Sequence, residues 1–370
     1  MNIIKPIKNR KIKIALVGCG RISKNHIRAI SCCYEACELL GLCDLSIPNL
    51  NAAKDNYIKF QNENNLEKII IPRLFNSYQE LLSGIKGKSI EIDLVIFCTP
   101  SGLHPEQVIE ASKLGLHSCT EKPMATRWED GIKMVKECEK ASVHLFVVKQ
   151  NRFNKTLQLI KKQLEKGRFG KLAMVGVNVF WQRPQSYYDQ DSWRGTWAFD
   201  GGALMNQASH YVDLLDWLIG PVESINARIA TLGREIEVED TASLSLKWRN
   251  GALGWMAVTM LTYPKNLEGS ITILGEKGSV KVGGLAVNKI EWWHFSDKDD
   301  NDDEVEKANY ETNSVYGFGH LPYYENMLKT IKGESRFVCK GTDGLKSLEI
   351  LIAAYRSSRD GSTIHLPLEY

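Results

Sequence analysis

The chain has 370 residues, 43% of them hydrophobic and 25% charged, with a formal net charge of +3. This is the composition of an ordinary globular protein, long enough for about two domains with sizeable cores. The scattered Lys and Arg leave no nucleic-acid footprint, no apolar run reaches the ~18 residues of a membrane span, and the start, MNIIKPIKNRK, is too short and too polar for a signal peptide. Nine cysteines are present, eight of them before residue 139, with no CxxC pair. They read as reduced, mostly buried thiols of a cytoplasmic protein, with no metal site.

The first 150 residues alternate strand and helix patterns. KIKIALVG is a buried strand ended by Gly18, SKNHIRAISC a helix, and CELLGLCD a second strand ending at Asp44. A polar, helix-like stretch runs from Asn49 to Lys68. IDLVIFCTP is a buried strand stopped by Pro100, HPEQVIEASKLG a helix with Pro in its first turn and Gly115 at its end. HSCTEKP is a short strand, TRWEDGIKMVKECEKA a helix, and VHLFVVKQN a strand. Continuous apolar strands separated by helices predict a parallel sheet covered on both faces, an α/β Rossmann domain over 1–150 that part of the C-terminal helices is a candidate to rejoin.

Residues 151–370 have a different texture and predict an α+β domain with a large, open, mostly antiparallel sheet. NKTLQLIKKQLEKGRFG is a helix and KLAMVGVNVFWQR a long strand. GGALMNQASHYVDLLDW reads as a helix from Gly201 to Trp217. VESINARIATL, DTASLSLKW, GALGWMAVTML, EGSITILG and GSVKVGG read as strands, with Asn250-Gly251 as a hairpin turn. In the third of these, Leu253, Trp255, Ala257 and Thr259 alternate with Met256 and Val258, which leaves an apolar face for a homo-oligomer to cover. The acidic run DKDDNDDEVEK reads as a solvated loop.

Three strand ends carry chemistry. VGCGRIS places Gly18 and Gly20 after a strand and before a helix, where glycines allow close approach to a pyrophosphate held by the helix N-terminus. Ser23 stands where the third glycine of this pattern usually lies. Asp44, 24 residues past Gly20, can accept from ribose hydroxyls and repels a 2′-phosphate, favouring NAD over NADP. CTPSGLHP offers Thr99, Ser101 and His104, the last as cofactor contact or as helix cap. TEKPM places Lys122 at the same edge, able to polarise a hydroxyl or carbonyl. In the second half, Asn206 and His210 are four apart and would neighbour each other on a helix. A substrate with phosphate or carboxylate groups wants guanidinium forks; Arg152 and Arg183 are candidates, with Arg194 close by in the sequence pattern.

These motifs in this order resemble the Gfo/Idh/MocA family of NAD(P)-dependent sugar oxidoreductases, from Lys11 to about Gly361. The resemblance implies that Lys122 and His210 flank the reacting carbon and that Asn151, Trp193, Arg194 and Tyr316 lie near the nicotinamide. The NAD-contacting set it implies is Gly18, Gly20, Arg21, Ile22 and Asp44 on the first loop. Thr99, Pro100, Ser101, Leu103 and His104 belong to the second, and Glu121 and Lys122 to the third. The substrate set is Lys122, Gln150, Arg152, Arg183, Asn206 and His210, with Lys122, His210 and Asn206 as catalytic residues. Many members carry Asp four residues before the histidine; here it is Asn206, which can orient but not ionise. The stripe Asn206–His210–Asp213 would then face nicotinamide and substrate.

Longer stretches, RPQSYYDQDSWRGTWAFDGGALMNQASHYVDLLDWLIGPVES among them, resemble the UDP-N-acetylglucosaminuronate 3-dehydrogenases. That implies hydride transfer from the sugar 3-position to NAD⁺ in bacterial surface-polysaccharide (lipopolysaccharide O-antigen) synthesis, 2-oxoglutarate as an oxidant of bound NADH, and a homodimer or homotetramer. A dehydrogenase of a free sugar or inositol, an NAD-dependent glycosidase and a non-catalytic NAD(H)-binding regulator remain as alternatives.

Overall fold

The apolar runs of the first half form a parallel sheet because each strand is followed by a helix that carries the chain back to the sheet's starting edge. The computed structural model describes residues 4–312, 315, 317–336 and 339–368. Tyr316 lies outside the described residues. The chain divides into two compact units, Met1–Val148 with His320–Leu345, and Lys149–Gly319 with Lys346–Tyr370.

In the first unit β1 (Ile12–Val17), α1 (Ser23–Cys32), β2 (Cys37–Cys43), α2 (Ile47–Glu63), β3 (Arg73–Phe75), α3 (Tyr78–Lys86), β4 (Leu94–Phe97), α4 (His104–Lys113), β5 (His117–Thr120), α5 (Trp128–Lys140) and β6 (Leu145–Val147) follow in order. The sheet order is β3-β2-β1-β4-β5-β6, all parallel. The order reverses beside β1, between β1 and β4, so the crevice at their C-terminal ends is where this architecture places a ligand. Ile12, Ile14, Leu16 and all of Leu94–Phe97 are fully buried, each such side chain contributing about 1.5–3 kcal/mol. The helix His320–Ile331 returns to this unit, with Tyr323 and Tyr324 fully buried. β3 and α3 carry too short a pattern to be read from sequence; Ser77 caps α3 by accepting from the Glu80 N–H.

The second unit contains α6 (Lys155–Glu165), β7 (Leu172–Phe180), α7 (Gln185–Tyr188), α8 (Ser209–Leu214), β8 (Val222–Ala230), β9 (Thr241–Trp248), β10 (Leu253–Thr259), β11 (Glu268–Gly275), β12 (Gly278–Gly283), β13 (Lys289–Phe295), α9 (Val305–Ala308) and β14 (Ile364–His365). Their sheet runs β13-β12-β11-β7-β10-β9-β8-β14, antiparallel except where β7 meets β10. β9 turns into β10 through Asn250-Gly251, Gly251 taking φ 90°. Ala242, Leu244, Leu246, Met256 and Val258 form the buried face, whereas Leu253 and Trp255 are 52% and 39% exposed on the other.

Two expectations change. The segment from Gly201 is not one helix. Gly201 takes φ 75°, residues 203–207 are turns, α8 begins only at Ser209, and Leu215–Ile219 is π-helical. Its helical spacing is overridden by packing of Gly202 against Glu239, where an added Cβ would meet the carboxylate. The acidic run is also more ordered than a solvated loop. Asp299 caps a short 3₁₀ turn over Asp300–Glu304, and Asp302 accepts two bonds from buried Arg168.

Candidate active site

In the first unit the Gly-rich turn is held from both sides. Gly18, at φ 91°, lies so close to β4 that a Cβ would stand 2.6 Å from the Cys98 carbonyl carbon. Asp44 accepts from the Cys19 N–H at 2.6 Å and from the Ser46 N–H at 2.8 Å, which fixes the carboxylate at the strand end. Ser23 Oγ donates to Gly20 O at 2.6 Å, closing the turn at the position where the pattern usually has glycine. Gly20 and Arg21 are exposed and Ile22 half-buried, and a Cβ on Gly20 would meet nothing within 4 Å. These features fit a pyrophosphate on the N-terminus of α1.

The second loop is held by its own side chains. Thr99 Oγ1 donates to Gln107 at 2.6 Å, and Pro100 and Leu103 stay half-exposed beside buried Ser101. The His104 ring is fully buried, 3.0 Å from Thr99 O and 3.2 Å from Pro123 O. Burial pulls its pKa down to about 4. It is a strut between two strand-end loops and makes no helix-capping bond.

That strut reaches the residue after Lys122, which is half-buried. Glu121 Oε2 accepts the Lys122 backbone N–H at 3.1 Å, while Oε1 meets His26 Nε2 at 2.9 Å. His26 Nδ1 lies 2.6 Å from the Tyr324 hydroxyl. Burial alone would raise the Glu121 carboxyl; the His26 hydrogen bond and the pull of His26 and Lys122 outweigh it and hold it well below the usual carboxylate range. His26 and His320 stand with Glu121 close enough to suggest a metal site. Because both His26 nitrogens and both Glu121 oxygens already have protein partners, the group reads as a hydrogen-bond relay behind Lys122.

In the second unit a buried ion cluster anchors the catalytic candidates. Arg152 grips Asp213 in a fork, Nε and Nη2 both at 2.7 Å, and Lys149 Nζ lies 3.2 Å from the same carboxylate. Ser347 bridges Lys149 and Asp213 at 2.8 and 2.9 Å. Burial opposes ionisation of Asp213, but the Lys149 and Arg152 charges win and hold it ionised. Arg152, read as a substrate fork, thus holds the helix of His210, and Asp213 turns into this cluster. Both are 3% exposed or less.

Next to Arg152, Gln150 Nε2 is 3.3 Å from His210 Nε2. With the amide nitrogen donating there, Nε2 is the unprotonated ring nitrogen and the imidazole is the neutral Nδ1–H form, its Nε2 lone pair held by Gln150. Asn151 is 5% exposed, and its Oδ1 has no hydrogen-bond partner among the described residues, an acceptor waiting for a donor. Asn206 does not lie on the His210 helix. Its Nδ2 donates at 2.5 Å to Oδ1 of Asp200, a residue that sequence pattern alone does not single out.

Arg183 and Arg194 both stack on Tyr187, with guanidinium carbons 5.6 and 4.7 Å from the ring centre; Arg183 also lies over Trp181 and Arg194 over Trp193. Both are half-buried, and Arg194 Nε already pairs with Asp191 Oδ2 at 2.9 Å; aromatic-backed guanidinium groups of this kind suit phosphate or carboxylate.

Comparison with known proteins fits this geometry. The WlbA dehydrogenase from Bordetella pertussis, solved in complex with NADH and UDP-GlcNAcA, is 55% identical over 98% of this chain and 100% of that one, with a TM-score of 0.91. That from Chromobacterium violaceum, solved with the same two molecules, is 56% identical over the whole of both chains at 0.90. Myo-inositol 2-dehydrogenase of Thermotoga maritima is 23% identical over 96% of this chain and 98% of its own. The oxidoreductase-family NAD-binding Rossmann fold matches residues 12–149, and the C-terminal α/β domain of the same family matches 161–366. With both matches spanning a Rossmann sheet and a mostly antiparallel sheet in this order, the chain belongs to the Gfo/Idh/MocA oxidoreductase family.

Proposed function

We propose that this protein oxidises the 3-hydroxyl of UDP-N-acetylglucosaminuronic acid with NAD⁺. The observation that carries the reading is the identity of 55% and 56%, over essentially whole chains, with two dehydrogenases solved with NADH and UDP-GlcNAcA. When bound, NAD⁺ supplies the hydride acceptor. Gly18, Gly20 and the N-terminus of α1 would hold its pyrophosphate, Asp44 its adenosine ribose, and Asn151 a donor group of the cofactor.

The protein's own residues handle the proton and the charge. His210, in its neutral form, takes the hydroxyl proton at Nε2 as the hydride leaves C3, the Gln150 amide giving up that lone pair to the substrate hydroxyl. Lys122, fixed through Glu121 and His26, stabilises the developing alkoxide. Asn206 and Gln150 orient substrate and imidazole, and Arg183 and Arg194 are the guanidinium groups suited to diphosphate or uronate. His104 and Arg152 support the site.

The reading extends to a cytoplasmic enzyme of surface-polysaccharide synthesis, with 2-oxoglutarate as oxidant of bound NADH. It also includes a homo-oligomer formed on the exposed sheet face, where Leu253, Met174 and Leu274 pair in one row. Among the described residues no helix is long and apolar enough to cross a membrane. The test is a panel of UDP-sugars, free sugars and inositols offered with NAD⁺. Reduced nicotinamide should appear with UDP-N-acetylglucosaminuronate, and preferential turnover of a free sugar or inositol would overturn the reading.

A further inference from the structure

We propose that Asp200 is a positioning residue of the reaction, which locks the Asn206 amide so that it presents its carbonyl oxygen, an acceptor, to a hydroxyl of the bound sugar. The inference rests on the proposed function and adds a residue and a hydrogen-bond polarity to it.

Asp200 is 3% exposed. Its Oδ2 accepts the Gly195 N–H at 2.8 Å and its Oδ1 accepts Asn206 Nδ2 at 2.5 Å. The turn that carries it is tied down: the N–H groups of Asp200 and Gly201 both reach Thr196 O, at 3.1 and 2.9 Å, and Gly195 and Gly201 take φ 68° and 75°. The Asn206 backbone N–H is held by Gly202 O at 2.9 Å. Both ends of the Asp200–Asn206 contact therefore sit on fixed backbone.

The chemistry follows from donor and acceptor inventories. Asp200 accepts with both oxygens, Oδ2 from the Gly195 N–H and Oδ1 from Asn206 Nδ2, so the end of Asn206 facing it is the NH₂. That settles which end is which, normally an ambiguity of amide side chains. A charge-assisted bond is roughly twice as strong as a neutral one, and in a buried setting it polarises the amide and strengthens Oδ1 as an acceptor. One proton cannot serve two acceptors. The hydroxyl that Asn206 addresses is thus a different one from that deprotonated by His210, and the pair reads the sugar rather than running the proton transfer.

Asp200→Asn separates this role from a structural one. The substituted amide keeps an oxygen for the Gly195 N–H, so the turn survives, but it turns an NH₂ towards Asn206. The Asn206 amide must then flip and present a donor to the substrate. Expected is a fall of about 10- to 100-fold in kcat/KM for the sugar nucleotide, from one reversed hydrogen bond, expressed mainly in its KM, with the KM for NAD unchanged. Asn206→Asp added to Asp200→Asn restores an acceptor towards the sugar and a donor–acceptor match within the pair, so it should recover most of the loss. A single variant within twofold of wild type, or a double variant no better than the single, overturns the proposal. The NMR signal of the Asn206 side-chain NH₂, assigned through Asn206→Asp, reads the pair without substrate; Asp200→Asn must move it, and an unmoved signal overturns the proposal. Absence of UDP-sugar turnover in the wild type, with the signal moving, instead indicts the functional reading.

Discussion

Glu239→Gln should make the protein's stability less sensitive to pH between about 4.5 and 7. Glu239 is 2% exposed; Oε1 accepts the Leu204 N–H at 2.8 Å and the Tyr355 hydroxyl at 2.9 Å, and its backbone oxygen accepts the Ala203 N–H at 2.9 Å. It thereby clamps residues 202–204, just ahead of Asn206. Burial raises its pKa from the ordinary 4.5 to about 7, although the Leu204 N–H and Tyr355 hydroxyl pull the other way. In the unfolded chain the proton leaves near 4.5; in the folded protein it stays until about 7. The folded state binds more protons across that window, so stability falls as pH rises through it and levels off above 7. The gap of about 2.5 pH units, at about 1.36 kcal/mol each, amounts to roughly 3 kcal/mol. The glutamine amide does not titrate, and whatever it costs by placing an NH₂ beside Gly202 is constant with pH. Denaturant unfolding of both proteins from pH 4 to 8 measures the difference. Wild type should lose about 3 kcal/mol relative to the variant between the two ends. A difference that stays flat across the window refutes an acid kept neutral by burial.

Other perturbations probe the remaining parts. Asp213→Asn leaves Lys149 and Arg152 as buried cations without their carboxylate and should cost about 3–5 kcal/mol in denaturant unfolding, far more than removal of an exposed pair such as Lys247–Glu223. Asp44→Ser should weaken NAD and narrow its advantage over NADP in a binding titration; tighter NADP than NAD in the wild type contradicts the role of the carboxylate. His210→Asn should lower kcat by about 10²–10⁴-fold while NAD binds nearly as before, and retention of more than about a tenth of wild-type kcat moves the base elsewhere.

How much of this is legible without coordinates depends on distance along the chain. α1 coincides with SKNHIRAISC, and the buried strands of the first half sit where apolar runs end at Gly18, Asp44 and Pro100. These elements announce themselves through local periodicity. The three-residue β3 is too short for any period to show, and β13, KIEWWHF, alternates less clearly than its neighbours. The Gly201–Trp217 stretch misleads for the opposite reason. Its spacing is helical, but two glycines and the clamp from Glu239 impose a turn first, a tertiary effect that local pattern does not carry. The same holds for partners. Arg152 and Asp213 are 61 residues apart, and nothing at either position predicts the fork that joins them. His26 is visible as a polar residue on the buried face of α1; that it faces Glu121, 95 residues away, requires the fold. Asp200 directly precedes the glycines, but its meeting with Asn206 depends on a turn that helical periodicity argues against.

The central claim is that hydride leaves C3 of the sugar of UDP-N-acetylglucosaminuronate. Substrate carrying deuterium at C3 alone, incubated with the protein and NAD⁺, tests it directly by mass spectrometry of the reduced cofactor. The account predicts reduced nicotinamide that carries the deuterium. Reduced nicotinamide without deuterium would mean that the hydride comes from another carbon, and would contradict it.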